Sequence, residues 1–150
     1  MSVSWKRVAV ILAVLALLRG TVRAGDTEVT AKRKQMALYV SVLVGDSLSS
    51  QDDLYMMTVI SNLKILRDVE DAMVISVDNE ILAAINPRAV GKNLKAPGMT
   101  AGIERARKSW RVEHYTEEVR GKTVHVFIAP LQHRVTRRYM GAVVLQFNDR

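Results

Sequence analysis

The chain has 150 residues, which is room for one domain and too little for two domains with a catalytic cleft between them. Its formal charge is +7, but residues 1–24 hold Lys6, Arg7, Arg19 and Arg23 and no acid, leaving 18 basic against 15 acidic side chains, so the basicity is poor support for nucleic-acid binding. Cysteine is absent, which excludes disulfides, thiol nucleophiles and Cys-ligated zinc or iron–sulfur centres but leaves the compartment open.

Residues 1–24 read as a signal peptide or an N-terminal membrane anchor. They combine a basic start, an apolar run of 11 residues from Val8 to Leu18, and Val22 and Ala24 at the small-residue positions of a cleavage site. The run is shorter than the roughly 20 residues a simple span needs, so an anchor here requires the helix to continue past a snorkelling Arg19. The remainder, 25–150, reads as a single domain.

From Thr27 to Val44 there is neither Pro nor Gly, and Met36, Val40, Leu43 and Val44 recur at helical spacing, which predicts a helix ended or bent at Gly45 and Asp46. A second helix is expected over 52–66, started by Ser50 or Asp52, with an apolar face of Leu54, Met57, Ile60, Leu63 and Leu66. The period then changes. "AMVISV" and "EILAAI" read as two antiparallel strands joined at Asp78 and Asn79, and Pro87 closes the second. An irregular excursion with Gly91, Pro97 and Gly98 follows, then a short helix from about Thr100, weakened by Gly102. Three more strands are expected in "WRVEHYTEEV", "KTVHVFIAPL" and "RYMGAVVLQF". The result is an α+β domain with a five-stranded antiparallel sheet behind long N-terminal helices. One face is covered by those helices, and the other partly by the excursion over residues 86–100, which Val90, Leu94 and Met99 would fold back onto the sheet.

The order of strand, Asp turn, strand, Asn86-Pro87, Gly91-Lys92, then Gly121 to Leu131 and Gly141 to Phe147, resembles the extracytoplasmic PAS-like sensor domains of the Cache or PDC type, over about residues 27–148. These serve bacterial chemoreceptors and sensor kinases as input modules. The resemblance implies a single Cache domain in the periplasm or elsewhere outside the cytoplasm, secreted or anchored to the inner membrane. It would bind a ligand and signal through a membrane protein or a homodimer. Members sensing citrate or dicarboxylates place basic side chains four and two residues before the proline of the fourth strand. If Pro130 is that proline, Val126 and Ile128 stand there instead, which lowers the citrate or dicarboxylate reading and leaves open an apolar, amino-acid-like or cationic ligand such as an amine, or none. Whole receptors continue into a further membrane segment and a signalling module, whereas this sequence stops at Arg150 and reads either as a receptor fragment or as a protein working through a partner. The competing reading is a structural or accessory subunit that docks a membrane protein and binds no small molecule.

On the third strand, alternation sets Trp110, Val112, His114 and Thr116 against Arg111, Glu113, Tyr115 and Glu117. The candidate ligand contacts are Arg111, His114, Tyr115, His125 and Phe127. Arg111 would pair with an anionic group, and His114 would exchange places with it if the strand phase slipped by one residue. The three histidines lack the spacing of a metal set, no serine sits in a nucleophile elbow, and no Gly-rich loop opens a helix as a phosphate site. Catalysis, a cofactor and a resident metal are therefore not expected. The basic runs Lys32–Lys34 and Arg134–Arg138 read as solvated surface, and the scattered strand aromatics offer no stacking platform for nucleic acid.

Overall fold

The computed structural model describes residues 26–149, so the expected leader lies outside the described residues. Contacts divide the chain into two compact units, residues 1–33 and 34–150. Of the first unit, the described part is helical, with Lys32 Nζ 3.0 Å from Glu28 Oε1 one turn away. Among the described residues no helix is long and apolar enough to cross a membrane.

The elements are helix α1 (Asp26–Ser49), helix α2 (Asp53–Asn62) with a 3-10 turn over Leu63–Ile65, strands β1 (Val69–Ser76) and β2 (Ile81–Ala84), helix α3 (Pro97–Ser109), and strands β3 (Glu113–Val119), β4 (Lys122–Gln132) and β5 (Tyr139–Asn148). The sheet is antiparallel in the order β2-β1-β5-β4-β3, the α+β, PAS-like arrangement the sequence predicted.

Helix α1 does not stop at Gly45. Ser47 Oγ donates to the Leu43 carbonyl, Ser49 Oγ to that of Gly45 and Ser50 Oγ to that of Asp46, so Ser50, one of the two residues expected to start the next helix, instead serves the end of this one. Gly45 is a contact point rather than a break: a Cβ there would lie 3.0 Å from the Gln132 carbonyl oxygen at the end of β4. Asp52 caps α2, accepting from the Tyr55 N–H at 3.0 Å.

The buried face of α2 is Met56, Val59 and Ile60, continued by Leu63, whereas Leu54 is 72% exposed and Met57 43% exposed. The expected face was chosen on a spacing of three residues, which drifts around a helix of 3.6 residues per turn by about 60° at each step. The observed set follows the i, i+3, i+4, i+7 rule and keeps one side.

β4 and β5 are apolar on both sides. Met73, Ile75, Val126, Ile128, Ala142 and Val144 share a core with Met99, Ile103 and Ala106 of α3. The alternate residues Ala72, Val74, Phe127, Ala129, Val143 and Leu145 are fully buried on the opposite side, where α2 and its 3-10 turn lie against β1 and β2. Pro97 opens α3 one turn earlier than expected, at the position where its missing N–H costs nothing. α3 runs to Ser109 and ends on Trp110 in a left-handed conformation, so β3 begins at Glu113, and Trp110 and Arg111 are turn residues rather than strand residues. Gly102 is where α3 touches the sheet, since a Cβ there would meet Ile128 Cδ1 at 2.5 Å and Tyr115 Cε1 at 3.2 Å.

Leu63→Ala is expected to cost about 2–5 kcal/mol of stability and Leu54→Ala no more than about 0.5 kcal/mol, read from chemical denaturation midpoints. Equal losses would mean that α2 packs by its other side.

Candidate functional site

The five candidate contacts fall in three places. β3 and β4 pair so that an odd-numbered residue of one always faces an even-numbered residue of the other, Tyr115 with Val126 and His114 with Phe127. Tyr115 therefore shares the α3 side of the sheet with Val126, while His114, His125 and Phe127 occupy the opposite side. Arg111 lies on neither.

On the α3 side, the 86–100 segment folds back on the sheet as its apolar residues implied. Val90, Leu94 and Ala96 pack on the core and Met99 is buried in it. Backbone bonds tie the segment to β2, from Ile81 N–H to the Lys92 carbonyl at 2.9 Å and from Gly91 N–H to the Ile81 carbonyl at 2.8 Å. Tyr115 is partly buried here with its hydroxyl under the first turn of α3: a Cβ on Gly98 would lie 3.9 Å from Tyr115 Oη. That hydroxyl is buried and has no hydrogen-bond partner among the described residues, an uncommon state for a buried polar atom. Burial pushes its pKa up to about 12, Glu117 adding to the rise and Arg105 opposing it.

A polar row crosses the sheet from Tyr115. Tyr115 pairs with Val126, Val126 with Gln146, and Gln146 with Asp71, so Asp71 and Gln146 lie on the same side as the Tyr115 ring. Gln146 Nε2 donates to Glu117 Oε1 at 3.3 Å. Burial raises the Asp71 carboxyl above its usual range, against the N–H of Ala72 that stabilises its charged form, and Glu70 adds to the rise. The residue at the N-cap of α3 is Ala96, whose side chain makes no capping hydrogen bond. Glu117, Asp71 and Gln146 are not among the ligand contacts expected from the sequence. Their signal was the interruption of otherwise apolar strand faces by acid and amide groups.

On the other side, His114 stacks on Phe127 with ring centres 4.3 Å apart, and Phe127 meets Phe147 edge-on at 5.5 Å. His114 Nε2 is 3.1 Å from His125 Nδ1, so one imidazole donates and the other accepts. His125 Nε2 lies 2.8 Å from Asp149 Oδ1, at ion-pair distance but not aligned as a hydrogen bond. Among the described residues no group of three or more His, Cys, Asp or Glu is placed to hold a metal ion. His133 is a turn residue whose Nδ1 accepts the N–H groups of Val135 and Thr136 at 3.2 and 3.1 Å.

Arg111 follows the left-handed turn and is exposed on the wall of a cleft of about 680 Å³, which also reaches Leu38 and Val42 of α1 and Pro130 of β4.

No family model matches the chain, and neither does any curated protein. Solved structures do. The ligand-binding domain of Mlp24 with asparagine superposes with a TM-score of 0.61 at 14% identity, over 97% of this chain and 60% of that one. The sensor domain of the V. cholerae histidine kinase DctB gives 0.57 at 15% identity, over 81% of this chain and 49% of that one. The E. coli DcuS sensor domain gives 0.55 at 11% identity, over 76% and 86%. The chain thus spans about half of the DctB domain and three fifths of the Mlp24 domain. It has the PAS-like fold of these sensor domains.

Raising the Tyr115 pKa means that between about pH 10 and 12 the unfolded chain has lost a proton that the native state keeps, so stability falls with rising pH across that window. Tyr115→Phe is expected to flatten this fall and to remove the last-titrating component of the tyrosinate absorbance. An unchanged titration curve would place the hydroxyl in water.

Proposed function

We propose that the chain is an extracytoplasmic sensory input domain that binds an amino-acid-like or amine ligand on the α3 side of its sheet. The observation that carries this reading is the Tyr115 hydroxyl, buried without a partner among the described residues and set on the same side as the carboxylates of Asp71 and Glu117. A buried hydroxyl needs a partner, and an ammonium or amide group from outside the chain supplies one while answering the acids. The uncapped start of α3 beside Tyr115 suits the carboxylate of an amino acid, since helix N-termini favour anions. Val126 and Ile128, fully buried on this side, offer no basic partner to a dicarboxylate. The similar domain with asparagine agrees with a ligand of this size. In this reading His114, His125 and Phe127 contribute through packing on the helix side rather than by touching the ligand. The ligand is sensed by binding, and ligand-dependent movement of α3 and the sheet passes to a membrane signalling partner or a second copy. No chemical step is involved.

A calorimetric and thermal-shift screen of amino acids, amines and short organic acids tests this. At least one amine-bearing compound is expected to bind and raise the melting temperature, and Tyr115→Phe is expected to weaken it about tenfold, the worth of one buried hydrogen bond to a charged group. A screen in which only dicarboxylates bind would refute the amine assignment. A screen in which nothing binds would favour the accessory-subunit reading, which the apolar filling by Leu94, Met99 and Ile103 beneath the excursion already suits.

For location, a reporter enzyme active only outside the cytoplasm and fused after Arg150 is expected to be active. Activity confined to a cytoplasmic reporter would remove the extracytoplasmic assignment.

A further inference from the structure

The cleft beside Arg111 lies apart from Tyr115 and has the opposite charge. Its apolar walls are Leu38 and Val42, both more than half exposed on α1, with Val112, Pro130 and the half-exposed indole of Trp110. Its polar lining is dominated by Arg111, Arg134 and Arg137, and the lining carboxylate is Asp46. Among the described residues none of the three guanidinium groups is in an ion pair, although the same surface pairs Arg105 with Glu113 and Arg107 with Glu104. At about 680 Å³ the space is of the size that holds small molecules.

The backbone under each arginine is fixed. Arg111 N–H donates to Ser109 Oγ at 3.2 Å. Arg134 N–H donates to Ser49 Oγ at 3.2 Å, which ties the β4–β5 connection to the end of α1. Arg137 is left-handed, its N–H donates to the His133 carbonyl at 3.0 Å, and its guanidinium lies 3.4 Å from the neutral Gln132 Oε1. Trp110 is held at φ 55°, a conformation unfavourable for so large a residue, with its ring edge-on to Tyr139 at 6.0 Å. Three guanidinium groups carried on held backbone match a carboxylate or phosphate by paired N–H donors, and the indole with the aliphatic wall matches an apolar body.

We propose that this cleft binds an amphipathic anion, a carboxylate or phosphate monoester on an apolar body. Arg111, Arg134 and Arg137 hold the charged group, and Leu38, Val42 and Trp110 hold the apolar part. The anion comes either from a free organic acid or from a lipid headgroup with the start of its chain. Because Trp110 ends α3, occupancy of the cleft bears directly on the helix that covers Tyr115.

The test uses the full chain with Trp5→Phe, so that Trp110 is the single tryptophan reporting by fluorescence. Octanoate, octyl phosphate and octylammonium are titrated. Octanoate or octyl phosphate is expected to give a saturable change, with octylammonium weaker by about tenfold or more. The Arg111→Gln/Arg134→Gln/Arg137→Gln variant is expected to lose about tenfold or more of anion affinity, and Arg88→Gln, an exposed arginine outside the cleft lining, none. Arg111→Gln alone serves if the triple variant does not keep its circular dichroism. Phosphatidylglycerol vesicles that displace octyl phosphate, and whose sedimentation with the protein needs the arginines, identify the lipid source; failure to displace it identifies a free acid. The proposal is overturned if neither anion gives a saturable change, if octylammonium binds as well, or if the arginine variants bind as tightly as the parent.

Discussion

The structure depends on one constraint: its two central strands are apolar on both sides. β5 runs Gly-Ala-Val-Val-Leu and is buried without interruption from Gly141 to Leu145, and β4 is buried from Val126 to Ala129. A sheet with such strands is stable only when covered twice, and the chain supplies two unlike covers. The helices before the sheet close one side. On the other, α3 and the excursion before it are inserted between β2 and β3. Both covers come close through glycine, Gly45 against the end of β4 and Gly102 against Ile128 and Tyr115. A side chain at Gly45 would press on the backbone of Gln132, and one at Gly102 would force the end of the Ile128 side chain to shift.

Two chemically opposed surfaces result. Beneath α3, the sheet carries Asp71, Gln146 and the buried Tyr115 hydroxyl. At the other end of α3, beyond Trp110, arginines line the cleft. The helix joins them physically: its first turn sits over Tyr115, and near its last turn Arg107 lies 5.1 Å over the Tyr139 ring that Trp110 also meets. Anything that moves α3 alters both surroundings together.

The order and kind of the elements were legible because periodicity is a strong signal and the strands are long. The excursion was legible too, since Val90, Leu94 and Met99 marked it as a segment with an apolar side. The alternation of β3 was legible from Glu113 onward, with His114 set against Tyr115, but the start of the strand was not, because α3 extends to Ser109 and Trp110 and Arg111 lie in the turn that follows. Yet the pairing of β3 with β4 could have been counted. Arg120 and Gly121 both have positive φ, 52° and 75°, and form a two-residue turn closing Val119 on Lys122. From that turn Tyr115 must face Val126, which separates it from His125 and Phe127. The cleft was illegible for a different reason. Its walls come from α1, the turn after α3 and the β4–β5 connection, and no local pattern joins Leu38 to Trp110 or Arg137.

The sheet order has a consequence for how the chain acquires its shape. The strand that comes last in sequence is the middle one, and it alone joins β1 to β4. Before β5 is available, β1–β2 and β3–β4 are separate hairpins, each with an unpaired apolar edge, and the two covers have no common sheet to close upon. Such pairings between distant segments form slowly, and open edges invite association with other chains. The emerging chain is thus most exposed to aggregation just before synthesis reaches Gly141–Phe147, and a partner that shields strand edges acts to most effect in that interval.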